Sequence, residues 1–164
     1  MKTIKCKCGK DIILDDIDFD RTAIVKISCH PRSGPFITDH DMNGKTVTRS
    51  LASCILGDPR MFDHVDRNNH NMLRDNLRPA TYSQNNANKK GYSSSGYKYV
   101  YQMKDASRNK PFRAEVRKDG VAHHGGTFRT PEEAARAGDI LAIELHGEFA
   151  YTNFPKENYK QPNT

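Results

Sequence analysis

The stretch from Met61 to Asn85, MFDHVDRNNHNMLRDNLRPATYSQN, decides how the chain is read. Met61-Phe62 leads into Asp63-His64-Val65 as a short strand. A polar loop runs from Asp66 to Asp75, and Asn76-Leu77-Arg78 reads as a second strand. Thr81-x-x-Gln84 has the spacing of a capping box, so a helix opens there and carries Asn85. The order is strand, long loop, strand, helix. Phosphodiester hydrolysis needs a base to take a proton from water, a divalent cation and a rigid frame. His64 titrates in the range of a base near neutrality. Asp63 and Asn85 offer hard oxygen atoms to a cation, and Asn76 can hydrogen-bond backbone across the loop and fix the imidazole. Neighbouring side chains on a strand point to opposite faces, so Asp63 and His64 serve one phosphate only if the backbone bends or the phosphate sits across the strand end. Asn68, Asn69 and Asn71 have a plainer reading, as loop asparagines capping their own backbone. That reading does not account for the spacing of His64, Asn76 and Asn85.

The run Phe62-Asp63-His64-Val65-Asp66, followed by Asn76-Leu77-Arg78 and Gln84-Asn85, resembles the HNH homing endonucleases of bacteriophages. The resemblance implies His64 as general base, Asp63 and Asn85 as ligands of one Mg²⁺ or Mn²⁺, and Asn76 as loop support. Asparagine replaces the family's final histidine at Asn85. Arg78, on the second strand, is counted among the DNA-contacting residues. Upstream, Leu51-Ala52-Ser53-Cys54-Ile55-Leu56-Gly57 stands where many relatives read Met-His-Arg before Leu-Ile-Leu-Gly, and Arg67 stands where they commonly have glycine. The activity implied is metal-dependent nicking or double-strand cleavage of DNA at a moderately specific target. The chain is expected to work as a monomer in the cytoplasm of an infected bacterial host. The alternative is a DNA-binding regulator or accessory protein on an inactive scaffold of the same kind.

Downstream, residues 91–96 (GYSSSG) read as a flexible linker. A second unit follows over 97–155, with strands at Tyr97 to Met103, Phe112 to Lys118 and Val121 to Phe128, and a hairpin turn at Asp119-Gly120. Thr130, Pro131 and Glu133 make a capping box with proline at the first helical position, and Gly147 ends the helix. Phe112-Arg113-Ala114-Glu115-Val116-Arg117, Gly126-Thr127-Phe128, the helix from Pro131 to Ala137, and Ala142 through Gly147 resemble the DNA-binding domain of plant ethylene-response factors. That resemblance implies a sheet entering the major groove of double-stranded DNA. The reading face would include Lys98, Tyr101, Arg113, Glu115, Arg117 and His124. Lys98, Tyr101 and Met103 replace that family's first-strand arginines. The chain has no tryptophan, and His124 stands where a base-stacking tryptophan is often found. Lys104, Arg108, Lys110, Arg113, Arg117 and Lys118 crowd one end of the unit.

The first 57 residues are short apolar pieces between polar turns. Ile12 to Leu14, Ala23 to Ile27 and Thr46 to Thr48 read as strands, Arg32 to Pro35 and Asn43-Gly44 as turns, and Ser50 to Leu56 as a short helix. Asp11, Asp15, Asp16, Asp18 and Asp20 read as a solvated acidic face. The fold class expected is α+β: a small N-terminal mostly-β region over 1–57, a ββα-metal motif over 58–90, the linker, a three-stranded sheet packed on one helix over 97–155, and a tail over 156–164. Cys6-x-Cys8 with Cys29-His30 is a conceivable ligand set. Paired zinc cysteines usually stand two or more residues apart, so structural zinc is not expected. The 164 residues carry a formal charge of +6 and are 35% hydrophobic, which suits one or two small domains attracted to a polyanion. No run of about 20 apolar residues exists to span a membrane, and Met1 to Asp20 does not read as a signal peptide.

Overall fold

The computed structural model describes residues 1–22, 25–30, 34–91, 93–104 and 109–159. The chain divides into two compact units, Met1–Thr81 and Tyr82–Thr164. Each combines antiparallel strands with helices, a mixed α/β architecture.

The first unit begins with a hairpin of β1 (Lys2–Lys5) and β2 (Asp11–Leu14). Gly9 turns the chain between them at φ 83°, a left-handed conformation that glycine adopts without steric cost. Ile12 and Leu14 alternate into the core, while Asp11 faces solvent. The next segment, α1 (Asp16–Thr22), is a helix that hydrophobic periodicity does not announce. Asp16 and Asp18 sit in its first turn, where carboxylates suit the positive end of the helix dipole. Asp18 departs from the expected solvated acidic face. It is buried, and Arg74 Nε and Nη2 each donate to its carboxylate at 2.8 Å. Arg74 Nη2 also donates to the Ile55 carbonyl at 3.0 Å, tying three segments together.

A meander of β3 (Ile27–His30), β4 (Gly34–His40) and β5 (Thr46–Ser50) follows. The strand expected over Ala23 to Ile27 starts only at Ile27: Val25 lies in a bend, and 23–24 fall outside the described residues. Of the turn expected at Arg32 to Pro35, 32–33 also fall outside, and Gly34-Pro35 already belongs to β4. The Asn43-Gly44 turn is present, with Asp41 Oδ1 accepting from the Asn43 and Lys45 amides. So is the short helix, α2 (Leu51–Leu56), capped by the Ser50 side chain and ended by left-handed Gly57. Then β6 (Phe62–His64) pairs with β7 (Leu77–Pro79). Asn76 lies in a 3-10 turn at Arg74–Asn76, so the second strand starts one residue later than expected. Ile12, Leu14, Leu51, Ile55, Phe62, Met72 and Leu77 share one core. Met72 draws the β6–β7 loop into it, and Ile13 holds that loop by accepting from Met72 N and donating to His70 O, at 2.8 and 2.9 Å.

The second unit opens with α3 (Tyr82–Asn88) and continues through β8 (Val100–Gln102), β9 (Phe112–Lys118), β10 (Val121–Phe128) and α4 (Pro131–His146). The sheet order is β10-β9-β8. Asp119 and Gly120 both have positive φ, 50° and 84°, as a two-residue hairpin of this hand requires. The capping box of Thr130 and Glu133 is formed, Pro131 starts α4, and Gly147 ends it. Losing such a cap typically costs about 1 kcal/mol. Val100, Ala114 and Val116 face inward, as do Ala134, Ala135, Gly138 and Ala142 of α4. A Cβ on Gly138 would lie 2.9 Å from Tyr99 Cβ, so glycine is what lets that approach occur. The strand expected over Tyr97 to Met103 is cut to three residues because Tyr99 has φ 68°. Ser93 and Ser95 belong to this unit and donate their hydroxyls to the Tyr97 and Val100 carbonyls. Asp139, fully buried, accepts from the Asn153 and Phe154 amides and from the Tyr159 hydroxyl, which fastens the C-terminal segment to α4.

Candidate active site and nucleic-acid interface

Asp63 and His64 occupy the end of β6, and strand alternation sends them to opposite faces. Asp63 is buried at 3% exposure and stands directly across from Arg78 on β7. Arg78 Nε and Nη2 donate to Asp63 Oδ2 at 3.0 and 2.8 Å. Arg78 therefore lies beside the carboxylate, with a side chain only 15% exposed. His64 is half-buried. Burial holds its imidazole below the ordinary value, the charges of Asp63 and Asp66 oppose that, and His70 adds to the lowering. An imidazole held neutral in this way is able to accept a proton near pH 7.

The loop after His64 is built by Asn76. Its Oδ1 accepts from the Asp66 amide at 3.0 Å, and its Nδ2 donates to Asp66 Oδ1 and to the Asn71 carbonyl at 3.0 and 2.9 Å. The Asn76 carbonyl also accepts from Val65 N. Asp66 takes further bonds from Asn68 N and Asn71 Nδ2. Burial raises its pKa, but the hydrogen bonds from Asn71, Asn68 and Asn76 outweigh that and leave it lowered. Arg67 takes φ 65°, which accounts for the glycine that the resemblance places there. Asn85 lies on α3, in the second unit.

On the outer face of the β8-β9-β10 sheet the structure gathers Tyr101, Arg113, Glu115, Arg117 and His124. Tyr101 pairs across from Arg113, and His124 from Glu115. Glu115 is the buried hub: Arg113 approaches it to 2.8 Å, Arg117 to 3.4 Å and His124 to 3.7 Å. The Arg113 guanidinium lies 5.9 Å from the Tyr101 ring centroid. Lys98 stands apart from this group. Its ammonium donates to the Asn86, Ala87 and Lys89 carbonyls and so caps the end of α3. Cations suit that end of a helix, where carbonyls are left without intrahelical partners. Arg108 lies outside the described residues.

The sulfur atoms of Cys6, Cys8 and Cys29 all lie within 4.8 Å of one another. This cluster, of the type that holds structural zinc, overturns the expectation that zinc is absent. The one-residue spacing of Cys6 and Cys8 misleads because left-handed Gly9 turns the chain back at once, and β3 brings the third thiol from elsewhere. All three thiols are free of disulfides. The Lys10 amide, with help from Cys29 and His70, holds Cys8 down at about 6, while burial pushes Cys29 up to about 12. His30, the partner weighed from the sequence, is exposed and next to Cys29 on the strand, so it points to the opposite face.

Together these features define a two-unit protein with a carboxylate and an imidazole on one short strand, a thiol cluster and a separate cationic sheet face. By sequence it is similar to a protein of Acanthamoeba polyphaga mimivirus described as an uncharacterized HNH endonuclease. The identity is 38% over 91 residues, which is 56% of this chain and 46% of the relative. The chain thus spans about half the length of that relative. No family model matches the chain, and no solved structure matches it. No helix among the described residues is long and apolar enough to cross a membrane.

Proposed function

We propose that the chain is a divalent-metal-dependent DNA endonuclease of the HNH type that nicks or cleaves duplex DNA. The observation that carries this reading is the β6 strand end, where Asp63 and His64 are followed by a loop that Asn76 braces through both ends of its amide. In this reading His64 takes the proton of the attacking water, and Asn76 fixes the loop that follows the imidazole. Asp63 would hold Mg²⁺ or Mn²⁺ from the first unit; it suits a hard cation, being a carboxylate already withdrawn from bulk water, and the resemblance implies Asn85 as the other oxygen ligand. Bound there, the cation would stabilise charge on the scissile phosphate and the leaving oxygen. Arg78, from its position across the strands, fixes the orientation of the Asp63 carboxylate. Tyr101, Arg113, Glu115, Arg117 and His124 would dock the second unit on double-stranded DNA, with the arginines on phosphates or base edges. Lys98 contributes to that face only indirectly, by capping α3. One base in one centre cuts one strand per binding event, which fits a monomer that nicks.

The test is a supercoiled-plasmid assay on a plausible target, with and without Mg²⁺ or Mn²⁺, comparing the parent with His64→Ala. A positioned base contributes about 10²–10⁴-fold, so the variant should lose that much rate while binding the duplex within a few-fold of the parent. Equal cutting by both proteins removes His64 as the base. A second reading, a DNA-binding protein that does not cut, is favoured by one observation: the Asp63 charge is already balanced by Arg78. It predicts tight duplex binding and no metal-dependent product.

A further inference from the structure

We propose that His70 completes the thiol cluster as a Cys₃His zinc site, and that this zinc clamps the loop between His64 and Asn76 onto the N-terminal hairpin. His70 Nε2 lies 3.1 Å from Cys29 Sγ and 3.8 Å from Cys8 Sγ. Around a tetrahedral zinc with Zn–S about 2.3 Å and Zn–N about 2.05 Å, neighbouring sulfur and nitrogen ligands stand roughly 3.6 Å apart. The two observed separations bracket that value. The imidazole is also oriented for ligation. Its Nδ1 is 2.6 Å from Asn69 Oδ1, an acceptor, so the proton sits on Nδ1 and the Nε2 lone pair faces the sulfurs. A partner on the second ring nitrogen is what fixes the tautomer of a zinc-bound histidine. His70 itself is buried at 4% exposure, its amide donates to Asn68 Oδ1, and its carbonyl accepts from Ile13 N.

The four ligands come from three separate stretches of the first unit. Cys6 opens the hairpin turn and Cys8 lies within it, Cys29 lies on β3, and His70 lies midway along the loop that joins β6 to β7. The backbone is shaped for this meeting. At Gly34, where β4 begins, an added Cβ would stand 2.9 Å from the Asn69 carbonyl oxygen, so glycine lets the loop lie against the sheet. The Ile13–Asn71 bridge continues the contact along β2. A zinc at this point fastens the middle of a loop whose two ends carry His64 and Asn76. It is a positioning site. It touches neither the scissile phosphate nor the cation proposed at Asp63, though its consequence for catalysis rests on the nuclease reading above.

The experiment uses the full chain, purified without chelator, and reads metal content, the Co²⁺ spectrum and amide exchange. Each of these is independent of nuclease activity, so the zinc site can fail while the nuclease reading stands, and the reverse. About one zinc per chain is expected in the parent and in His30→Ala. His70→Ala should lose zinc affinity by more than the roughly 10–100-fold typical of removing an outer-shell partner. His70→Cys should keep one zinc per chain and move the Co²⁺ spectrum toward that of four thiolates. Stripping zinc from the parent should speed exchange of the Val65 and Met72 amides by about tenfold or more, as expected when a restraint on local opening is lost. The assignment is overturned by a parent that holds no zinc, or by His70→Ala retaining parental affinity. Loss of zinc in His30→Ala also overturns it. If His70→Ala fails to fold, an unchanged Co²⁺ spectrum in His70→Cys has the same force. Amide exchange in the loop that ignores zinc removes the clamp.

Discussion

Replacing Arg78 with methionine isolates the contact that bears most directly on the candidate active site. The change keeps much of the side-chain length and removes the guanidinium from Asp63. The pair is close, 2.8 Å from Nη2 to Oδ2, with Arg78 half-buried and Asp63 buried, their side chains 15% and 4% exposed. At that distance and an effective dielectric near 20 the Coulomb attraction is about 6 kcal/mol, most of it offset by the cost of dehydrating two ions. The intact pair is therefore worth little net. Removing one partner is different, because Asp63 stays buried without the guanidinium that faces it, at a cost of about 3–5 kcal/mol. For a unit of this size each kcal/mol moves the thermal midpoint by roughly 4–8 °C, so a loss of about 3 kcal/mol lowers it by roughly 12–24 °C. If Asp63 is a metal ligand, a cation can take the place of the guanidinium. Mg²⁺ or Mn²⁺ should then raise the midpoint of Arg78→Met more than that of the parent, by up to about 2.7 kcal/mol at a hundred times the dissociation constant. The assay is thermal and urea unfolding of both proteins across a metal titration. A variant as stable as the parent would refute the buried-pair argument. A destabilised variant that metal helps no more than the parent would refute Asp63 as a ligand. Duplex binding measured across salt adds a third readout. A phosphate-contacting arginine would take about one unit off the salt slope when removed, whereas an arginine held on Asp63 should leave it unchanged.

Three further outcomes follow from other parts of the structure. Glu115→Gln removes the hub that holds Arg113, Arg117 and His124, so the second unit should lose about 1–3 kcal/mol, and the freed cations should steepen the salt dependence of duplex binding by about one unit. Unchanged binding of target over random duplex in that variant would separate Glu115 from site choice. His146 donates Nε2–H to the Arg117 carbonyl, and burial first, then Lys118 and Lys98, lowers its pKa below the ordinary histidine value against the opposing pull of that carbonyl and Asp119. The unfolded chain then binds the proton more readily. The stabilisation is complete above about pH 6.5 and is lost as pH falls through the folded value, so urea midpoints of the second unit should drop below about pH 6.5 less steeply in His146→Gln than in the parent. Arg67 holds a left-handed conformation, so Arg67→Gly should be more stable than Arg67→Ala by about 0.5–1 kcal/mol, since both remove the side chain and only glycine adopts that φ without cost; equal urea midpoints for the two variants would refute the backbone argument.

What could be read in the sequence was what is local. Thr130, Pro131, Glu133 and Gly147 lie within one helix, and Asp119-Gly120 sets its own turn, so capping and hairpin chemistry placed α4 and the β9–β10 connection correctly. The order of strand, loop, strand and helix from Phe62 to Asn88 was legible for the same reason. The parts that were missed depend on partners far apart in the chain. The run DIDFDRT has little apolar content and looks solvated, yet Arg74 neutralises Asp18 across the core and lets the segment pack as α1. Tyr99 looks like one residue of an extended strand, but its positive φ and its fit against Gly138 belong to the helix packing behind it. Lys98 looks like a cation for phosphate, and only the end of α3 reveals the carbonyls that occupy it. His70 is the sharpest case. Within the loop it is one polar residue among asparagines, with no spacing to mark it. It becomes a candidate ligand only when a glycine turn folds Cys8 back, β3 supplies Cys29, and Gly34 leaves room for Asn69 to hold the imidazole. Ligand spacing identifies a zinc site when one hairpin supplies a pair of ligands. Here the hairpin pair, Cys6 and Cys8, is spaced by a single residue, and the other two ligands come from β3 and from the β6–β7 loop, so a rule based on neighbours in sequence does not find the site that organises the loop.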